Sequence, residues 1–217
     1  FPPTATECTL LWTGSRSNAW ELQENWAPYG KAGLEGPVRA PQATDHTCVD
    51  VTRNLPITVA AAGSVTDRFT GTLFNPVTLR IAGGDLKVLG EATIPALQMA
   101  GGLLHLQGDA EFWTGSGRPP VSLGGGVLQL DGVATALNPT TGLTGGNVNV
   151  LAGTSTTLDG GVLRAGQLRM DTPGTHALVG RGGHRMEMTT ITQFEGDNTL
   201  TLGPGGATLF VPQGLSI

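Results

Sequence analysis

The chain has 217 residues, 34 of them glycine, with 12 Lys and Arg against 17 Asp and Glu for a formal net charge of −5. Helices disfavour glycine, so this composition excludes a mostly helical protein. The lack of a Gly-X-Y register excludes collagen, and 39% hydrophobic residues argue against disorder. An acidic chain without a basic run is not built to displace counterions from nucleic acid, and no apolar stretch approaches the length of a membrane span. An all-β protein with many tight turns remains.

In chain order, residues 1–55 come first, holding three of the four tryptophans, the only tyrosine and both cysteines. The opening FPPTATEC has neither a basic nor an apolar leader region and reads as a mature terminus or a boundary. Cys8 and Cys48 are an even pair with none left over, which fits one disulfide in an exported protein. Two buried free thiols in a cytosolic protein are the alternative. A bond between them would close a loop of about 40 residues and contribute about 4 kcal/mol on chain-entropy grounds. Trp12, Trp20 and Trp26 fit a cap over an exposed core end, the alternative being a platform that stacks sugar rings.

Residues 56–217 read as a repeat array. Glycine doublets begin at Gly83, Gly101, Gly125, Gly145, Gly160, Gly182 and Gly205, a mean step of about 20 residues. Behind the first five stand Leu86, Leu104, Leu128, Val148 and Leu163, and two positions on Val88, Leu106, Leu130, Val150 and Ala165. Between these columns lie Lys87, His105, Gln129, Asn149 and Arg164, polar each time. This is period-2 alternation with one buried face, recurring behind a glycine bend. It predicts a single-stranded right-handed parallel β-helix, a β-solenoid with coils of about 20 residues, which shares one continuous core with the N-terminal cap. After Gly182-Gly183 the apolar set His184, Met186, Met188 falls one residue out of phase, which a corner of different length would absorb. An antiparallel sandwich is the structural alternative, disfavoured by the scarcity of Asn-Gly and Asp-Gly turns.

The opening Trp12-Thr13-Gly14, Trp20, Asn25-Trp26, Pro41, Asp45 and Cys48-Val49-Asp50-Val51 resembles the W-x-G…W…N-W…P…D…V start of β-solenoids in bacterial secreted, cell-surface and autotransporter-like proteins. Some of those carry cysteines where Cys8 and Cys48 stand. A weaker likeness is to the extracellular β-helical part of amnionless, a docking partner. The resemblance by motif covers the opening as far as Val51, interrupted by the longer insertion 29–40, and implies a secreted or cell-surface location.

Catalytic signals are sparse. A glycosidase needs two carboxylates roughly 5 to 10 Å apart. The polar column carries no acid, and the local pair Asp109 and Glu111, beside Trp113 and with Arg118 near by, is the weak alternative for an acidic groove. The four histidines are scattered without metal-ligand spacing, so no metal or cofactor is expected. Thr154, Thr156, Thr199 and Thr201 form two pairs, not an ice-binding ladder. The array ends at Ile217 in mid-pattern, as in a fragment of a longer protein or an end covered by a partner. The expected role is a non-enzymatic, extracellular structural or adhesive segment. Its partner would be a protein or glycan at one face or the open end, with self-association or continuation of the array as further possibilities. A polysaccharide-active lyase or glycosidase, or a carbohydrate-binding module, is the alternative.

Overall fold

The structure is a computed structural model that describes residues 8–29, 38–49, 56–71, 77–113, 121–137, 146–151, 153, 155–170, 175–194, 198–202 and 205–210. Apart from the 3₁₀ turn Gln23–Asn25, every regular element among them is a β-strand. The strands are short, and each bends at a corner before it can fold back on its sequence neighbour. Most therefore pair, in parallel, with the equivalent strand one winding on.

Three ladders result. Ladder I stacks Ile57–Val59, Thr78–Ile81, Ala96–Met99, Val121–Leu123 and Asn147–Val150. Ladder II stacks Ser64–Thr66, Asp85–Val88, Leu103–Leu106, Gly126–Leu130, Ser155–Asp159, His176–Arg181 and Asn198–Leu202. Ladder III stacks Leu10–Trp12, His46–Val49, Arg68–Gly71, Ala92–Ile94, Ala110–Phe112 and Val133–Ala136. The long strands Val162–Met170 and His184–Phe194 then run through the corner from III to I: Leu163 pairs with Ala134 in III, and Leu168 with Val148 in I. Ala207–Phe210 adds the last described rung of ladder III. The chain visits I, II and III in turn and returns one step along the axis, an all-β arrangement compatible with a parallel β-helix.

Period-2 alternation within each strand sends every second residue inward. Leu86, Leu104, Leu128 and Leu158 are stacked in register in ladder II, none more than 1% exposed. Ile57, Leu79, Leu97, Val121 and Val148 do the same in ladder I. The resulting core is one cluster that runs from Leu10 and the N-terminal tryptophans to Met188.

The windings are not of the uniform length expected from the doublets. Successive rungs of ladder II align Ser64, Leu86, Leu104, Leu128, Leu158, Gly180 and Leu202, a series whose shortest step is Leu86 to Leu104 and whose longest is Leu128 to Leu158. Segments between strands absorb the differences. One residue, Pro95, joins ladder III to ladder I in one winding, whereas 114–120 and 138–145, outside the described residues, lie in that connection in the next two. The glycine doublets consequently mark different corners. Those at Gly83, Gly101 and Gly125 lie between ladders I and II, and those at Gly160, Gly182 and Gly205 between II and III.

This corrects the column expected from the doublets. Val148 and Val150 do not follow Leu128 and Leu130; they stack on Val121 and Leu123 in ladder I, and Leu163 belongs to ladder III. Asn149 and Arg164 leave the polar column with them. Asp159 follows Gln129 there and Arg181 follows Asp159, so the column does carry an acid. The phase shift at Gly182-Gly183 is a longer corner: Leu163 stands two residues after its doublet, its partner Met186 three after its own. His184, Met186 and Met188 accordingly point inward and are buried. Thr156, one of the residues considered for a surface pair, is also buried, where its Oγ1 accepts the Gly125 N–H at 2.9 Å.

At the I-to-II corner the windings touch backbone to backbone. A Cβ on Gly102, whose φ is +78°, would lie 2.0 Å from the Gly84 carbonyl oxygen, and one on Gly126 would lie 2.5 Å from the Gly102 oxygen. Glycine is required there by contact as well as by conformation. Gly63, with φ +83° but no atom within 4 Å, isolates the second effect. We expect Gly63→Ala to lower stability by about 1 kcal/mol through backbone strain, and Gly102→Ala by about 2–4 kcal/mol because overpacking is added. Urea denaturation of the two variants checks this; equal losses would refute the contact argument.

Candidate functional site

The residues most distinctive in sequence assemble at the N-terminal end of the ladders. Trp26–Pro28 runs antiparallel to Leu10–Trp12, with Trp12 opposite Trp26, and covers the first rung of ladder III. Ala19 bridges to Thr58 at the first rung of ladder I, where Trp20 N–H donates to the Thr58 carbonyl at 2.9 Å and Thr58 N–H to the Asn18 carbonyl at 2.7 Å. Glu21 Oε1 accepts the Ala60 and Ala61 amides, each at 2.7 Å, at the following corner. The cap thus supplies partners to backbone groups that a first winding would leave open.

Each element of the motif has a local cause. Gly14 sits at φ +56°, and a Cβ there would press on Trp12 Nε1 at 3.1 Å. Asn25 is fully buried; its Oδ1 accepts the Arg16 and Ser17 amides at 3.0 Å, and its Nδ2 donates to Ser17 Oγ and the Ala19 carbonyl. That side chain folds segment 15–19 over the core. Trp26 Nε1 donates to the Trp20 carbonyl at 2.7 Å. Trp12 and Trp20 both meet Trp26 edge to face, at centroid distances of 4.9 and 4.7 Å, and Trp20 stacks on Phe69 at 6.0 Å. With exposures of 1–3%, the three indoles have their faces against each other and the core. None is available to a sugar ring, which removes the stacking-platform alternative for these residues.

Cys8 and Cys48 are joined in a disulfide with Cα atoms 5.8 Å apart. It ties the residues before Leu10–Trp12 to the second rung of ladder III. Beside it, Asp45 is 2% exposed and accepts hydrogen bonds from both terminal nitrogens of Arg39, from the Gln42 amide at 2.8 Å and from Thr9 Oγ1 at 3.0 Å. Its own carbonyl takes Thr66 Oγ1 at 2.7 Å and the Asp67 amide at 2.8 Å. Burial alone would raise the Asp45 pKa, but the hydrogen bonds from Arg39, Gln42 and Thr9 outweigh it and hold the carboxyl below its usual range.

The weak acidic-groove candidates serve smaller ends. Asp109 Oδ1 accepts the Val133 amide of the next winding at 2.9 Å, and Glu111 Oε2 accepts the Trp113 indole N–H at 3.0 Å. Both acids are exposed, and Arg118 lies outside the described residues. Among the described residues no three His, Cys, Asp or Glu side chains gather as metal ligands would, and no helix is long and apolar enough to cross a membrane. No family model, curated protein or solved structure matches the chain.

His184 is inward in the core, as its phase with Met186 and Met188 anticipated, and 1% exposed; its Nδ1 is hydrogen-bonded to the Gly160 carbonyl, and its Nε2 has no partner among the described residues. One feature escaped sequence reading, the outer column of ladder I: Thr58, Arg80, Gln98, Ser122, Asn149 and Arg169, in register across six windings. Its members follow one another at unequal sequence intervals, so the column has no fixed period. Only the pairing reveals it.

Two acid-dependent losses follow. Burial lowers the His184 pKa, so below about 6.5 the unfolded chain binds a proton that the folded one does not, and stability falls with pH. The Asp45 contribution is complete above about 3.9 and is lost as pH falls through its depressed folded value. We expect the urea midpoint of the native protein to drop between pH 7 and 5, and that of His184→Leu to stay nearly level. Asp45→Asn should flatten only the part below pH 4. Parallel pH curves for all three proteins would refute both assignments. Reduction of Cys8–Cys48 should lower unfolding free energy by about 4 kcal/mol at neutral pH, read by the same titration with and without reductant.

Proposed function

We propose that this chain is a right-handed, exported β-solenoid segment that acts without catalysis, as a rigid structural or adhesive module presenting a surface to a protein or glycan. The observation that carries this reading is the disulfide-closed cap on a continuous core. Its most specific residues are buried or hydrogen-bonded within the fold, which leaves the outer faces of the ladders as the surfaces on offer. The disulfide supports an oxidising, extracellular setting. The right hand follows the strong preference of parallel crossover connections. The motif's resemblance to cell-surface solenoid openings points the same way, and a net charge of −5 disfavours nucleic acid as a partner.

A polysaccharide-active enzyme is the reading to be tested against. The oxidised protein is passed over immobilised acidic and neutral polysaccharides and over intact cells, while reducing ends are measured in parallel. We expect saturable retention without turnover. Turnover that Asp109→Asn or Glu111→Gln abolishes would replace the adhesive reading with an enzymatic one.

A further inference from the structure

Resting on the adhesive reading, we infer that the outer face of ladder I is a binding site for an extended, carboxylate-bearing polysaccharide, held by the column Thr58, Arg80, Gln98, Ser122, Asn149 and Arg169. Two observations support it.

The first is composition. No strand of ladder I contains Asp or Glu, whereas ladder II contains Asp85 and Asp159, and ladder III Glu111 and Glu187. On those two ladders several cations are paired across windings or within a strand: Arg181 with Asp159 at 3.0 Å, Arg164 and Arg185 with Glu187 at 2.7 Å each, and His105 faces Asp131 at 2.9 Å. Lys87 on ladder II has no ion pair among the described residues. Arg80 is exposed on ladder I and has no ion pair among the described residues. In a protein of net charge −5, the described strands of this face keep cationic character and carry no carboxylate to repel an anionic chain.

The second is spacing. Parallel rungs repeat roughly every 4.7–4.9 Å, so the column is a straight row of donors and acceptors at that interval. A sugar chain lying along the axis meets one side chain per rung, with hydroxyls for the amides and Ser122, and a carboxylate for Arg80. Beside the column Ala82, Ala100 and Gly124 succeed one another across windings before Leu151 follows, so the row is open on that side as far as Ser122. An extended polypeptide would ask for side-chain pockets, which this run of small residues does not supply.

The test is isothermal titration with polygalacturonate, with dextran as the neutral control, on the oxidised full chain. Circular dichroism confirms that each variant is folded. We expect binding to polygalacturonate that weakens with added salt, and no binding to dextran. Arg80→Ala and, separately, Gln98→Ala should weaken it, the first by at least about tenfold because a charge-assisted hydrogen bond is lost. Lys87→Ala, a cation on ladder II, should leave it unchanged. Equal loss from Lys87→Ala and Arg80→Ala, or undiminished binding by Arg80→Ala, would overturn the assignment to ladder I while leaving an adhesive role intact. Failure to bind polygalacturonate, with retention on cells, would overturn the ligand class alone. Failure to be retained on any surface would sink the adhesive reading together with it.

Discussion

A parallel ladder gives each strand a neighbour on both sides, except at its ends. The first rung therefore presents open amides and carbonyls and the bare cross-section of an apolar core, and either would template aggregation. The rest of this molecule depends on how that end is closed. Three devices act together, one for each part of the rim. An antiparallel strand, Trp26–Pro28, covers ladder III; Ala19 and Trp20 pair with Thr58 on ladder I; and the Glu21 carboxylate takes the amides of Ala60 and Ala61 where ladder I turns toward ladder II. Beneath them the indoles of Trp12, Trp20 and Trp26 fill the end of the core with Phe69. An aliphatic plug would need more residues for the same buried area, because each aromatic covers so much.

Once the end is closed, each winding is positioned by the one before it. Equivalent residues then lie in line, and that geometry sets the economy of charge. A cation and an anion at the same height in consecutive rungs meet across about 5 Å however long the chain between them. Asp159 pairs with Arg181, and Arg164 with Glu187, each with a whole winding of chain in between. Such exposed pairs add little stability individually. Their greater effect is on register, since a one-residue slip would separate each pair and turn the apolar set outward. Ladder I has no acid in its strands to form such a pair.

Much of this was legible in the chain. The inward residues Leu86, Leu104 and Leu128 and their partners Val88, Leu106 and Leu130 are where period-2 alternation puts them, because a strand has only two faces. The even cysteine count fitted the disulfide that the structure shows, though two free thiols would have fitted it as well. Winding length was not legible. Glycine is demanded wherever consecutive corners touch, and this fold has several kinds of corner, so doublets at Gly125 and Gly160 look alike in sequence yet belong to different bends. Counting from doublet to doublet carried Asn149 and Arg164 into a column where Asp159 and Arg181 belong. The same ambiguity hid the polar row on ladder I, whose members are never equally spaced. The role of Asp45 was equally invisible, since its ligand set joins Thr9, Arg39 and Gln42 only after the chain has closed on itself.

The cap also bears on where function can reside. In a solenoid whose end needs sealing, the residues most specific to the motif are those least free to bind anything else. Trp12, Trp20, Trp26, Asn25 and Asp45 are all buried, and each has a structural partner that accounts for its chemistry. The opening pattern of this chain is evidence of how its ladders begin, and carries little information on what their outer faces do. On the proposed adhesive reading, ligand specificity would lie in outward positions, where the fold demands only a strand-compatible residue and neighbouring windings can differ freely. Those positions vary in spacing and in type, so they leave no motif behind. A stacked architecture separates the two kinds of information, with the fold written in periodic inward residues and the outer surface written in a register that only pairing makes readable.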